Sequence, residues 1–197
     1  IVLPNQAYGY VLRSPHSHAQ IKSIDTSAAQ AAPGVLTVLT GNDYRAENLG
    51  KLPLVVPPIP NFDVETVHHP TRLAMACEEV KFVGEEVAFV VAESLAQAKD
   101  AAELININYK PLPTVVDAEE ALKDDAPQVW SAYPSNLSFT KEMGDKEATE
   151  AAFAAAKHVV NLRTVVNRAA ANTIEARGTN ADYNSSTGLC TIYVGTQ

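Results

Sequence analysis

The sequence predicts a mixed α/β (α+β) fold, and three observations carry that prediction. The order strand, capped helix, strand occurs twice, over Ala19 to Leu39 and again over Val87 to Tyr109, as expected of two related α/β units in one domain. Lys81 to Ser94, KFVGEEVAFVVAES, compresses strand, sharp turn, strand and helix start into one short stretch. Late in the chain, Asn180 to Tyr183 and Leu189 to Val194 flank Asn184-Ser185-Ser186-Thr187-Gly188 in the manner of a β-hairpin loop.

Taken in order, Tyr8 to Arg13 is aromatic and aliphatic enough for a strand, and Ser14-Pro15 ends it because the residue before proline avoids helix. Ala19 to Ile24 is a second strand in which Ile21 and Ile24 can share a face only across a kink. Ser27 and Gln30 form a capping box for a short helix that Pro33-Gly34 stops, and Val35 to Leu39 is the third strand. Gly50 to Pro70 then carries prolines at 53, 57, 58, 60 and 70, a density that no regular element survives. Such a segment is read either as an extended arm on a neighbour or as a mobile loop.

Gly84 sits between an apolar run and two carboxylates, where a turn needing positive φ would want it. Val87 to Ala92 reads as a strand buried on both faces, and Ser94 with Gln97 spells a second capping box. The helix from Leu95 to about Leu104 aligns Leu95, Ala98, Ala102 and Ile105, and Ile105 to Tyr109 follows as a strand. A domain boundary is expected near Val116. Asp117 can cap a short acidic helix through Leu122, and Asp124 to Asn136 reads as a surface connection anchored by Trp130. A helix is expected from Lys146 to Lys157, its stripe of Ala152, Phe153 and Ala156 inviting close packing. Val160, Leu162, Thr164 and Val166 have the period of a strand.

The chain has 197 residues, 46% hydrophobic and 19% charged, with a net charge of −8. That suits a globular protein with a sizeable core and argues against nucleic acid or an anionic membrane as partner, since both demand a basic face. The apolar runs fall short of the roughly 20 residues that span a bilayer, and the expected location is the cytoplasm. Cys77 and Cys190 lack any paired metal-site spacing and are expected to be free, buried thiols. The chain opens at Ile1 without methionine and closes at Gln197 directly after a strand, as a piece of something longer would.

No self-contained catalytic kit is visible: there is no phosphate loop, GxSxG elbow or CxxC motif. His16, His18, His68 and His69 form two close pairs, yet their spacing is wrong for a helical zinc site, so turn-stabilising or surface roles are the default and no metal ligand is assigned. Glu85 and Glu86, being adjacent in an extended chain, must point to opposite faces and cannot work as an acid–base pair. Glu175 and Arg177, two apart, could share a strand face and pair structurally.

Five segments together are more specific: LRSPHSHAQIKSID at Leu12 to Asp25, PGV and TVLTG within Pro33 to Gly41, VKFVGEEVAFVVAES at Val80 to Ser94, DAAELININYKPLPTVVD at Asp100 to Asp117, and NRAAANTIEARGTNADY at Asn167 to Tyr183. In this order they resemble the N-terminal part of the large, molybdopterin-binding subunit of the molybdenum hydroxylases, the family of xanthine dehydrogenase, aldehyde oxidase and aerobic carbon monoxide dehydrogenase. The resemblance implies an α/β hammerhead domain over residues 1–116 and, over residues 117–197, the incomplete start of the molybdenum-cofactor domain. It also implies that Gln197 contacts the cofactor, hydrogen-bonding an oxygen ligand of the metal. A neutral amide suits that task, because it donates without competing as a ligand. Where the family commonly has proline, this chain has Glu86 and Ala176. The family's glycine-rich cofactor loops and its catalytic glutamate, the base of the reaction, match nothing up to Gln197, so no catalytic residue is assigned.

The parent enzyme implied is an oxidoreductase that hydroxylates a small aldehyde, heterocycle or similar substrate with water-derived oxygen. Electrons would pass to 2Fe–2S clusters and FAD on partner subunits or domains. The piece itself is expected to be scaffold and partner interface, inactive alone. The alternative is a non-catalytic binding or assembly module that keeps the fold. A biotinyl or lipoyl carrier is disfavoured because no lysine occupies a hairpin tip, Lys81 being expected inside a strand.

Overall fold

The computed structural model describes residues 2–53, 67, 68, 70, 72–167, 169, 170 and 172–195. Most of the proline-rich segment, residues 54–66 and 69, therefore lies outside the described residues, as do Thr196 and Gln197. The chain divides into two compact units, Pro4–Glu142 and Met143–Gln197 with Ile1–Leu3.

In the first unit the strands are β1 (Tyr8–Arg13), β2 (Ala19–Asp25), β3 (Val35–Thr40), β4 (Glu79–Val80), β5 (Glu86–Ala92) and β6 (Asn106–Pro111). The helices are α1 (Ser27–Gln30), α2 (Gly41–Ala46) and α3 (Leu95–Glu103). Two antiparallel sheets form, ordered β1-β5-β3 and β4-β2-β6. Each strand–helix–strand unit foreseen in the sequence crosses between them, β2-α1-β3 in one direction and β5-α3-β6 in the other. The two units are thus interlocked, each lending one strand to each sheet.

The core follows from small residues. Ala88, Val90 and Ala92 on one face of β5 pack with Ala98, Ala101 and Ala102 of α3 and with Ala29 of α1, so alanines let the helices lie close on the sheet. Val87, on the other face of β5, joins Ala19, Ala76 and Val80 in a second cluster, and Leu12 and Ile107 pack against both. The burial expected on both faces of β5 is met only in part: Ala88, Val90 and Ala92 are buried on one face, whereas on the other Val87 is buried and Phe89 and Val91 are half-buried. The α3 stripe differs slightly: Leu95 is exposed, and Ala101 takes the buried place.

Local signals held in detail. Pairing of β2 with β6 shifts register between Ile21 and Ser23, the kink that Ile21 and Ile24 demand. Gly84 has φ +91°, and the Ser94 hydroxyl accepts from the Gln97 N–H at 3.3 Å. The first cap is corrected: Thr26, not Ser27, is the N-cap residue of α1, because Asp25 Oδ1 takes both the Ser27 N–H (3.0 Å) and the Ser27 hydroxyl (2.7 Å). Helix α2 was not foreseen; Asp43 Oδ2 accepts from the Thr40 N–H (2.7 Å) and hydroxyl (2.6 Å) and so starts it. Lys81 also departs from expectation, standing in the turn after β4 rather than in a strand.

Past β6, Asp117 Oδ1 accepts from the Glu119 and Glu120 N–H groups ahead of a 3-10 turn at Glu120–Leu122. Asn136 then gathers the loop, accepting from the Val129 N–H and donating to the Ala121 and Pro127 carbonyls.

The second unit holds α4 (Lys146–Ala155), capped by Asp145, and a hairpin of β7 (Thr179–Asn184) and β8 (Leu189–Val194). Gly188 closes the hairpin loop at φ +72°. Helix α4 buries none of its residues, and Phe153 is 61% exposed, so the expected packing on its stripe is not made by the described residues. The strand expected over 160–166 is likewise absent: that stretch pairs with no described strand, and Val160 and Val166 are each 90% exposed. Alternation alone does not make a strand, because the ladder's hydrogen bonds need a neighbouring edge.

Candidate functional site

Strand β8 delivers the chain to Gly195, two residues short of Gln197. Gln197, the residue singled out as cofactor-contacting, lies outside the described residues. At the described end of the hairpin is a cleft of about 350 Å³ lined by Glu175, Gly178, Asn180, Tyr193 and Gly195. Gly178 and Gly195 leave bare main chain there: a Cβ on Gly178 would meet nothing within 4 Å, and one on Gly195 would sit 3.4 Å from Glu175 Oε1. The main chain at both positions is thus open on its Cβ side, with only the Glu175 carboxylate close to Gly195. Glu175 and Arg177 do not form the ion pair expected of them; the chain there is irregular, and the two share no strand face.

In the first unit the histidines resolve into separate roles. The His16 N–H donates to the Ser14 hydroxyl at 3.0 Å, closing the Ser14-Pro15 turn, and its ring lies 4.7 Å from that of Tyr109. His68 stacks on Tyr133 at 4.8 Å. His18 is buried, with Nδ1 2.7 Å from the Pro113 carbonyl and Nε2 2.9 Å from Glu79 Oε1. Among the described residues, no three His, Cys, Asp or Glu side chains gather in a metal-binding arrangement.

The adjacent carboxylates part as their spacing requires. Glu86 meets Arg13 Nη1 at 2.7 Å, while Glu85 turns inward and accepts from the Lys81 N–H. Burial pushes the Glu85 carboxyl above its usual range, only partly offset by that hydrogen bond and by the Lys81 and Arg72 charges. Beside it a polar cleft of about 210 Å³ is lined by Arg45, Arg72, Cys77, Glu79, Lys81 and Trp130. Both thiols are free, but neither is buried: Cys77 is half-buried in this cleft and Cys190 is exposed on β8. The pairing of His18 with Glu79 was not legible in the sequence, since the two meet only when β2 and β4 align.

Two interlocked strand–helix–strand units, each crossing between the same two sheets, define an α/β hammerhead. The chain belongs to the aldehyde oxidase and xanthine dehydrogenase family, whose a/b hammerhead domain model matches residues 1–113. It is 40% identical, over 81% of its length, to the carbon monoxide dehydrogenase large chain of Afipia carboxidovorans. It is 33% identical, over its whole length, to the nicotine 6-hydroxylase large subunit of Paenarthrobacter nicotinovorans. These alignments span 20% and 23% of the two relatives. Among solved structures, quinoline 2-oxidoreductase from Pseudomonas putida superposes with a TM-score of 0.86 at 33% identity, covering 100% of this chain and 24% of that one. The aldehyde oxidoreductase of Desulfovibrio gigas superposes with a TM-score of 0.78 at 29% identity, covering 98% and 20%. Among the described residues, no helix is long and apolar enough to cross a membrane.

Proposed function

We propose that this chain is the N-terminal piece of a molybdenum hydroxylase large subunit whose parent enzyme hydroxylates a small aldehyde, heterocycle or similar substrate with water-derived oxygen. The supporting observation is the superposition of the whole chain, both units included, on about a quarter of quinoline 2-oxidoreductase at 33% identity. In this reading residues 1–116 are the hammerhead scaffold and residues 117–197 begin the cofactor domain. The cleft lined by Gly178 and Gly195 lies at the end of the hairpin from which the chain runs on toward Gln197, in keeping with such a role. The molybdenum cofactor, when bound, supplies the redox chemistry. Gln197 would supply a neutral amide donor toward it. The 2Fe–2S clusters and FAD sit on partner subunits or domains, in keeping with relatives named as large chains, large subunits or complex subunits.

The test is metal analysis of the full-length protein purified after cofactor maturation. Stoichiometric molybdenum is expected, with Gln197→Ala lowering retention of the metal while the hammerhead's thermal unfolding is unchanged. Fully matured protein without molybdenum would overturn the reading in favour of a non-catalytic assembly module.

A further inference from the structure

Among the described residues from Met143 onward the second unit buries none, and only Asn180 and Thr191 are even half-buried. Its sheet is the two-stranded β7-β8 hairpin. Such a hairpin is marginal in water until a third strand or a packed helix covers an apolar face. Helix α4 buries none of its own residues, and Leu189, Ile192 and Val194 of β8 all lie exposed.

The stretch whose alternation predicts a strand shares this condition. Val160, Leu162 and Val166, which an extended chain would turn to one face together with Thr164, are exposed by 90%, 84% and 90%. Val165, on the opposite face, is exposed as well, so the stretch has the β-branched, apolar composition of a sheet-forming segment. An apolar surface of this kind marks a contact, and extended main chain beside it presents donors and acceptors that a neighbouring edge would satisfy.

Length points to the source of that edge. The chain, both units included, superposes on 24% of quinoline 2-oxidoreductase and aligns with 23% of the nicotine 6-hydroxylase large subunit, so the greater part of each relative lies outside the match. A strand tethered in the same polypeptide meets the stretch at a high effective concentration. A second copy would instead have to bring together two pieces that each carry a net charge of −8.

We propose, resting on the reading of this chain as the N-terminal piece of a large subunit, that residues 160–166 form a strand whose ladder is completed by a segment of the same polypeptide beyond Gln197. Val160, Leu162 and Val166 then lie on the face that the completed sheet buries. The ladder satisfies the main chain and the core takes up the apolar side chains, the two requirements that alternation alone leaves unmet.

Hydrogen exchange of the full-length protein, read by mass spectrometry on peptides covering residues 158–166, tests this. Exchange slowed about 100-fold or more against an unstructured peptide is expected. Leu162→Asp is expected to return these peptides to the unstructured rate, and Leu162→Ile to keep them protected. A photoreactive side chain introduced as Thr164→benzoylphenylalanine is expected to link to a peptide beyond residue 197 of the same chain. Protection together with that link in protein that never takes up molybdenum would sustain the strand while overturning the enzyme reading. Exchange at the unstructured rate in the wild-type full-length protein would overturn the proposal. So would full protection in Leu162→Asp, or links confined to residues 1–197 or to a second copy. If Leu162→Asp does not fold, the wild-type exchange and the crosslink still decide.

Discussion

The Phe89 ring lies across Gly9 of the neighbouring strand so closely that a Cβ at Gly9 would collide with its Cζ. Gly9 stands opposite Val91 in the β1–β5 ladder, and Phe89 stands opposite Val11, so the ring reaches diagonally over the one position that lacks a side chain. The sheet face away from α3 is thereby covered by its own aromatic residue. Gly9→Ala must push the ring off or bend β1, and a loss of about 1–3 kcal/mol is expected from overpacking. Urea unfolding measures it. Adding Phe89→Leu to Gly9→Ala should restore part of the loss, because the clash is with the far end of the ring.

Ser94 caps α3, which carries Ala98, Ala101 and Ala102 into the main core. Ser94→Ala removes the acceptor for the Gln97 N–H and also the hydroxyl that donates to Gln97 Oε1 at 2.6 Å. A cost of about 1 kcal/mol is expected. Ser94→Asp should retain most of the stability, since a carboxylate serves the same N–H and favours the helix N-terminus.

Glu85 gives a pH dependence of the opposite kind to an ordinary salt-bridged carboxylate. Its folded-state pKa is raised, chiefly by burial, so the folded protein binds this proton more tightly than the unfolded chain. The group's penalty is fully present above the raised value and is relieved as pH falls through it toward the unfolded value. Glu85→Gln, which still offers an oxygen to the Lys81 N–H, is expected to raise stability slightly at neutral pH. It should also flatten the stability profile just above the ordinary carboxylate range. Chemical denaturation of both forms at a series of pH values checks the sign.

Much of the first unit was legible because its signals are local. A glycine beside two carboxylates announced the positive-φ turn at Gly84, and the uneven spacing of Ile21 and Ile24 announced the register shift in β2. Ser27 misled because its hydroxyl had a nearer competitor in Asp25, and the 160–166 stretch misled because its alternation found no edge to pair with among the described residues. The candidate site was legible only through resemblance. Nothing in the residues themselves singles out Gln197, whereas the glycines of the neighbouring cleft acquire meaning only once β7 and β8 bring 178 and 195 together.

By itself the sequence determined most elements of the first unit: where β1, β2, β3 and β5 begin, which turn needs Gly84, which serine caps α3, and that Glu85 and Glu86 must face apart. These depend on backbone sterics and on neighbours within a few residues. Only the tertiary structure decided that the two strand–helix–strand units exchange strands between two sheets, that Phe89 covers Gly9, and that His18 is held between Glu79 and Pro113. Those relationships join residues up to 95 positions apart. Long-range register and mutual burial fix such pairings, and no local pattern encodes them.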